Sequence, residues 1–176
     1  MYNHSYGRHR STSKLVIGSL IILACVVAGL IFFTSTDKQQ IVPQSIVRKI
    51  SFQIYSLPRD SKIWQISNNS VKYDDKQTVL SLTYKALDNQ LSITEQKTPS
   101  QFTDIPQYYP ALLNKLHQYS VLQTHLGDVY LTKPTELNGA QTAVLNSNGT
   151  LMFIRPQGNL SDTQWKTIFD DMIVIH

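Results

Sequence analysis

The sequence predicts an α+β domain carried on a single N-terminal transmembrane helix. Three observations predict it. An uncharged apolar run extends from Leu15 to Phe33, segments of strict apolar–polar alternation follow with turn residues between them, and two later segments carry apolar residues at helical spacing.

The run LVIGSLIILACVVAGLIFF has Ser19 as its only hydroxyl and no charged residue. At about 1.5 Å rise per residue it spans roughly 28 Å as a helix, close to the ~30 Å hydrocarbon core of a bilayer. A soluble core helix would need a polar face, and this run has none. Alternatives are weaker. A cleaved secretory signal has a shorter apolar region followed by small residues, whereas this run ends in Ile31-Phe32-Phe33-Thr34. A lipoprotein signal would acylate Cys25 within Ile22-Leu23-Ala24-Cys25, yet VVAGLIFF follows where such chains turn polar. A type IV pilin would carry an early Glu, which is missing here.

The net charge is +4, and Arg8, Arg10 and Lys14 supply most of it with no acid before the run. A basic segment ahead of an apolar span predicts a cytoplasmic N-terminus and an extracytoplasmic C-terminal domain. The outer part is nearly neutral, so the sequence pI of about 9.1 is no argument for nucleic-acid binding. Cys25 is the only cysteine, which excludes a disulfide or thiol nucleophile from the outer domain. The expected organisation is a basic tail at 1–14, the transmembrane helix at 15–33, a polar tether at 34–45 and the α+β domain at 46–176.

Within that domain, Ile50, Phe52 and Ile54 alternate with Ser51, Gln53 and Tyr55, a strand pattern. Ile63 to Ile66 is a second short strand, and Asn68-Asn69-Ser70 is expected to turn the chain. A stronger strand covers 77–87, with Leu80, Leu82 and Tyr84 on one side. Asp88-Asn89 then turns into Leu91 to Glu95, making a meander. Pro110 opens a helix expected over Ala111 to Tyr119, because a proline's missing N–H is tolerated in the first turn. Strands at Val121–Leu126 and Val129–Thr132 flank Gly127-Asp128, and Asn138-Gly139 is a hairpin turn. Strands at Ala140–Leu145 and Thr150–Ile154 flank Asn146-Ser147-Asn148-Gly149, the clearest hairpin. Ser161-Asp162-Thr163-Gln164 is a capping box, and Trp165, Ile168, Phe169 and Met172 form the stripe that packs the last helix on the sheet.

Candidate chemistry is sparse. His125 with Asp128 or Glu95 is the one His–acid set from which a hydrolase could be built, and no G-x-S-x-G supplies a nucleophile. Glu95, on the face of Leu91 and Ile93, requires a partner if buried and is read as structural. His117 and His125 are read as ordinary helix and strand residues. No H-x-x-x-H or C-x-x-C exists for a metal, and no Gly-rich loop for a nucleotide. No cofactor is expected. Tyr108, Tyr109, Tyr119, Tyr130, Trp64 and Trp165 are read as core aromatics, with a concave lipid or peptide site as the alternative.

Phe52-Gln53-Ile54-Tyr55-Ser56-Leu57-Pro58, Leu82-Thr83-Tyr84 and Leu91-Ser92-Ile93-Thr94-Glu95-Gln96, with Thr124-His125-Leu126-Gly127 and Leu160 to Trp165, carry a resemblance. The region from Ile46 to Ile175 resembles the DUF4367-like, membrane-anchored domains of bacterial surface proteins. That resemblance implies a strand before a Leu-Pro step, a Gly-containing hairpin and a short C-terminal helix. It brings no catalytic residues. In some members of that family a cytoplasmic anti-sigma region precedes the anchor, and the short tail here is expected to be too small for one.

The expected function is a single-pass cell-envelope protein whose outer domain binds a protein, peptide or lipid partner without doing chemistry. The alternative is an envelope hydrolase or its accessory subunit.

Overall fold

Alternation of apolar and polar residues builds one seven-stranded antiparallel sheet in this chain. The computed structural model describes residues 41–134 and 140–176. The expected transmembrane run 15–33, the basic tail 1–14 and the Asn138-Gly139 turn lie outside the described residues. Among the described residues no helix is long and apolar enough to cross a membrane.

A short helix α1 (Gln44–Val47) leads into an extended segment that ends in β1 (Tyr55–Ser56). Three strands then form a meander: β2 (Gln65–Asp74), β3 (Val79–Lys85) and β4 (Gln90–Lys97). Helices α2 (Gln101–Asp104) and α3 (Tyr108–Lys115) cross over. A second meander follows: β5 (Gln118–Thr124), β6 (Gly127–Thr132), β7 (Thr142–Ser147) and β8 (Thr150–Pro156). The chain closes with α4 (Asp162–Asp170) and β9 (Ile173–Val174). The sheet order is β2-β3-β4-β8-β7-β6-β5, so the two meanders meet where β4 pairs with β8. β1 and β9 form a separate two-stranded ribbon. The result is a mostly antiparallel sheet domain with a few helices, in keeping with the α+β expectation.

One face of the sheet is the core. Leu80, Leu82 and Tyr84 of β3, Leu91 and Ile93 of β4, Met152 and Ile154 of β8 and Leu145 of β7 are buried there. The apolar stripe of α4 and the segment carrying Ile50, Phe52 and Ile54 belong to the same cluster. At about 25 cal/mol per Å² of apolar surface removed from water, this contiguous cluster is the main source of stability. α4 starts where expected, because the Ser161 hydroxyl accepts the Gln164 N–H while the Gln164 side chain accepts the Ser161 N–H.

Several boundaries differ from the sequence reading. Ile41 and Val42, assigned to the tether, are buried in the core as the apolar pair of an otherwise polar stretch. The segment 50–54 keeps the expected alternation in burial but makes a ladder only at its end, because it lies across the sheet rather than beside a strand. Asn68-Asn69-Ser70 does not reverse the chain. β2 runs through it and loops outward, with Ile66 paired to Tyr84 and Val71 to Leu82. Tyr119 lies in β5, not on a helix, because α3 ends at Lys115 and His117 adopts φ 56°. That left-handed residue is a common helix stop. The β5–β6 turn falls at His125-Leu126, two residues before the expected Gly127-Asp128. Asn148 and Gly149, with φ 47° and 79°, make the mirror-image two-residue turn that matches strand twist.

Candidate functional site

Alternation along β4 sends Leu91, Ile93 and Glu95 to the core face, and Glu95 is fully buried between its cross-strand neighbours Leu80 and Met152. Over it runs the segment 53–57. β9 serves one edge of that segment: the Ile54 N–H donates to the His176 carbonyl and the Ile175 N–H donates to the Ile54 carbonyl. In an extended chain alternate residues present their backbone groups to opposite edges, so Gln53, Tyr55 and Leu57 face the other side, where no strand lies among the described residues.

Side chains from the sheet take the place of that strand. The Thr150 hydroxyl donates to the Gln53 carbonyl at 2.6 Å. Glu95 Oε1 accepts the Tyr55 N–H at 3.0 Å. The Tyr84 hydroxyl accepts the Leu57 N–H at 3.2 Å and lies 2.6 Å from Ser56 Oγ. Because Ser56 Oγ donates to the Leu57 carbonyl, Tyr84 is the donor in the bond to Ser56. The Tyr55 hydroxyl adds a link by donating to Gln53 Oε1 and accepting from Asn148 Nδ2.

The electrostatics follow from burial. Desolvation raises the Glu95 carboxyl well above its ordinary range, only partly offset by the Tyr55 N–H. Among the described residues Glu95 Oε2 has no hydrogen-bond partner. Desolvation also pushes Tyr84 up to about 12, against the lowering effect of its bonds to Ser56 and Leu57 and with a small further rise from Glu95. Both groups are built for holding backbone and are shut off from solvent.

The other candidate residues stand elsewhere. Register carries Glu95 across Met152 and Leu145 to Val129, so Asp128 projects from the opposite face. Three strand spacings of about 4.8 Å put the two acids roughly 14 Å apart. His125 is exposed in the β5–β6 turn, and among the described residues no hydrogen bond or ion pair joins it to Asp128. Among the described residues no group of three His, Cys, Asp or Glu is placed to hold a metal ion.

The aromatics divide between the two faces. Trp64 and Trp165 are in the main core. Trp165 Nε1 donates to Gln141 Oε1 at 3.0 Å, which also accepts the Leu160 N–H, while Gln141 Nε2 donates to the Tyr119 hydroxyl. The sequence reading missed Gln141, a polar residue immediately before β7 with no alternation to mark it. On the outer face, Phe102, Tyr109 and Tyr130 pack edge and tilt around Leu113, Val144 and Leu151. Burial raises the Tyr109 hydroxyl, with Tyr130 and Asp128 adding to it. Tyr108 and Tyr119 are exposed.

That second cluster draws on α2, α3, β6, β7 and β8 only. Among the described residues no helix packs on the outer face of β2, β3 and β4. In its centre Thr83 pairs with Ser92 and Ser81 with Thr94, all half-buried. Lys72 pairs with Ser81, Arg155 with Ser92, and Lys85 follows Thr83 on the same face. Each of these cations is exposed.

No family model, no curated protein and no solved structure matches this chain.

Proposed function

We propose that this chain is a single-pass, membrane-anchored extracytoplasmic protein whose sheet domain binds a partner in the cell envelope without catalysing a reaction. The anchoring rests on the apolar run from Leu15 to Phe33 and the basic tail before it. The non-catalytic reading rests on one observation above all. Glu95 is enclosed in the core holding the Tyr55 N–H, on the other face from Asp128. A general acid or base must reach its substrate, and this carboxyl has no route to one.

The binding surface is the open half of the outer face, centred on Ser81, Thr83, Ser92 and Thr94. An antiparallel sheet is free to face water on one side. A merely solvated face is expected to carry long charged side chains of both signs. Here the centre is short hydroxyls, which leave a flat surface that a partner can approach closely.

The test is a photo-crosslinking residue at Ser92 in the full-length protein in its own membrane, with Lys115 on α3 as the control position. The expected result is a defined adduct from position 92 and none from 115. Equal adducts from both, or none from 92, would remove this face as the binding surface.

A further inference from the structure

The open half-face has a definite charge pattern. Three cations, Lys72, Lys85 and Arg155, surround the four hydroxyl residues at its centre. Lys49 pairs with Asp75, and among the described residues none of the three cations is paired with a carboxylate. Of the acids in β2, β3 and β4, Glu95 faces the core. Asp74 shares the outer face, but its Oδ1 accepts the Lys76 and Gln77 N–H groups of its own turn. Asp88 stands in the β3–β4 turn at the end of the strands.

Strand geometry sets the spacing. Thr83 and Ser81 are two residues apart on β3, about 6.8 Å, and each faces its β4 partner across about 5 Å. The hydroxyls thus form a two-by-two grid, with Lys72 beyond one corner, Arg155 beyond the opposite one and Lys85 one step along the strand. Hydroxyls donate to phosphate oxygens and accept from alcohols, and lysine and arginine bind phosphate as point charge and planar fork.

We infer that this face binds a linear, hydroxyl-bearing phosphodiester polymer of the envelope, lying across β2, β3, β4 and β8. The inference rests on the proposed binding role and adds the partner's chemistry to it. A flat grid suits a chain with repeating phosphates, since a lone phosphate would touch one cation at a time. A repeating one engages all three together, and avidity then raises the affinity of weak single contacts. Exposed charges are screened by salt, so binding falls as ionic strength rises.

The experiment uses the full-length protein in nanodiscs of neutral phosphatidylcholine, titrated with poly(glycerol phosphate) at low and physiological salt. The wild type is expected to bind, and the triple variant Lys72→Ala/Lys85→Ala/Arg155→Ala to lose at least tenfold in affinity. Thr83→Val with Ser92→Ala, which leaves the charge unchanged, is expected to weaken binding several-fold. A control with the same charge loss elsewhere, Lys62→Ala/Lys115→Ala/Lys166→Ala, is expected to bind as wild type. Equal loss in the control would reduce the effect to net charge and overturn the inference. So would capture by phosphatidylglycerol vesicles without polymer binding, because the surface would then be a bilayer contact. Absence of polymer binding together with a position-92 adduct to another component would overturn the inference while leaving the binding role standing. Circular dichroism of each variant confirms that a loss of affinity is not a loss of fold.

Discussion

Glu95 Oε1 accepts the Tyr55 N–H at 3.0 Å inside the core, where a neighbouring strand's carbonyl would otherwise stand. A side chain on β4 thereby completes the hydrogen bonding of β1, a two-residue strand that among the described residues has a partner, β9, on one edge. Thr150 and Tyr84 do the same on either side of it. These three contacts fix the path of the segment that leads from the N-terminal part of the chain across the sheet.

Removing the acceptor leaves a buried N–H unpaired. Glu95→Ala is expected to cost about 2–4 kcal/mol, from that orphaned donor and the lost side-chain packing. Urea denaturation of the 41–176 region within the full chain measures it. An effect below about 0.5 kcal/mol, the range of ordinary surface changes, would mean that the Tyr55 bond has no structural weight.

The same carboxyl sets a pH dependence. Its folded pKa is raised above the ordinary value of 4.5, so between the two values the folded state binds the proton more tightly than the unfolded state. Its favourable share is therefore fully present below about pH 4.5 and declines as pH rises through the folded pKa. Glu95→Gln keeps the acceptor and removes the titration. Stability of the wild type relative to Glu95→Gln is expected to fall from acid toward alkaline pH, read from paired denaturation curves. A constant difference would show that Glu95 titrates alike in both states.

Tyr84→Phe removes one hydroxyl that serves both Ser56 and the Leu57 N–H. The expected cost is about 1–3 kcal/mol. In a double-mutant cycle with Ser56→Ala the two changes should be less than additive, because they share one bond. Strict additivity would contradict the network.

Gln141 holds the Trp165 indole, the Leu160 N–H and the Tyr119 hydroxyl. Gln141→Leu is expected to cost about 2–3 kcal/mol, since it orphans buried donors, and to change the near-ultraviolet circular dichroism of Trp165. An unchanged spectrum with unchanged stability would remove that role.

His125→Ala is expected to leave both stability and the position-92 adduct unchanged, because the residue is exposed in a turn. Loss of the adduct in a folded variant would place His125 in the working surface.

Much of this was legible in sequence because periodicity reports burial directly. Leu80, Leu82 and Tyr84, the Asn148-Gly149 turn and the Ser161 capping box all stand where local chemistry puts them. What was not legible depends on contacts distant in sequence. Nothing local tells Asn68-Asn69-Ser70 to loop out of a continuing strand; the pairing with β3 on both sides of it does. The bond from Glu95 to Tyr55 joins residues forty positions apart, and alternation could mark Glu95 as core-facing without naming its partner. The open hydroxyl face depends on sheet order, which sets Thr83 beside Ser92 and Arg155 beyond it.

An outward-facing domain whose open sheet face is engaged exposes Lys115 and shields Ser92 on intact cells. This is tested most directly by labelling Ser92→Cys and Lys115→Cys with a membrane-impermeant maleimide, on intact cells and on purified protein, in a Cys25→Ala background. Both positions are expected to label in the purified protein, and on intact cells Lys115→Cys is expected to label while Ser92→Cys is protected. Labelling of neither until the cells are lysed would contradict the outward orientation, and equal labelling of both on intact cells would contradict an engaged face.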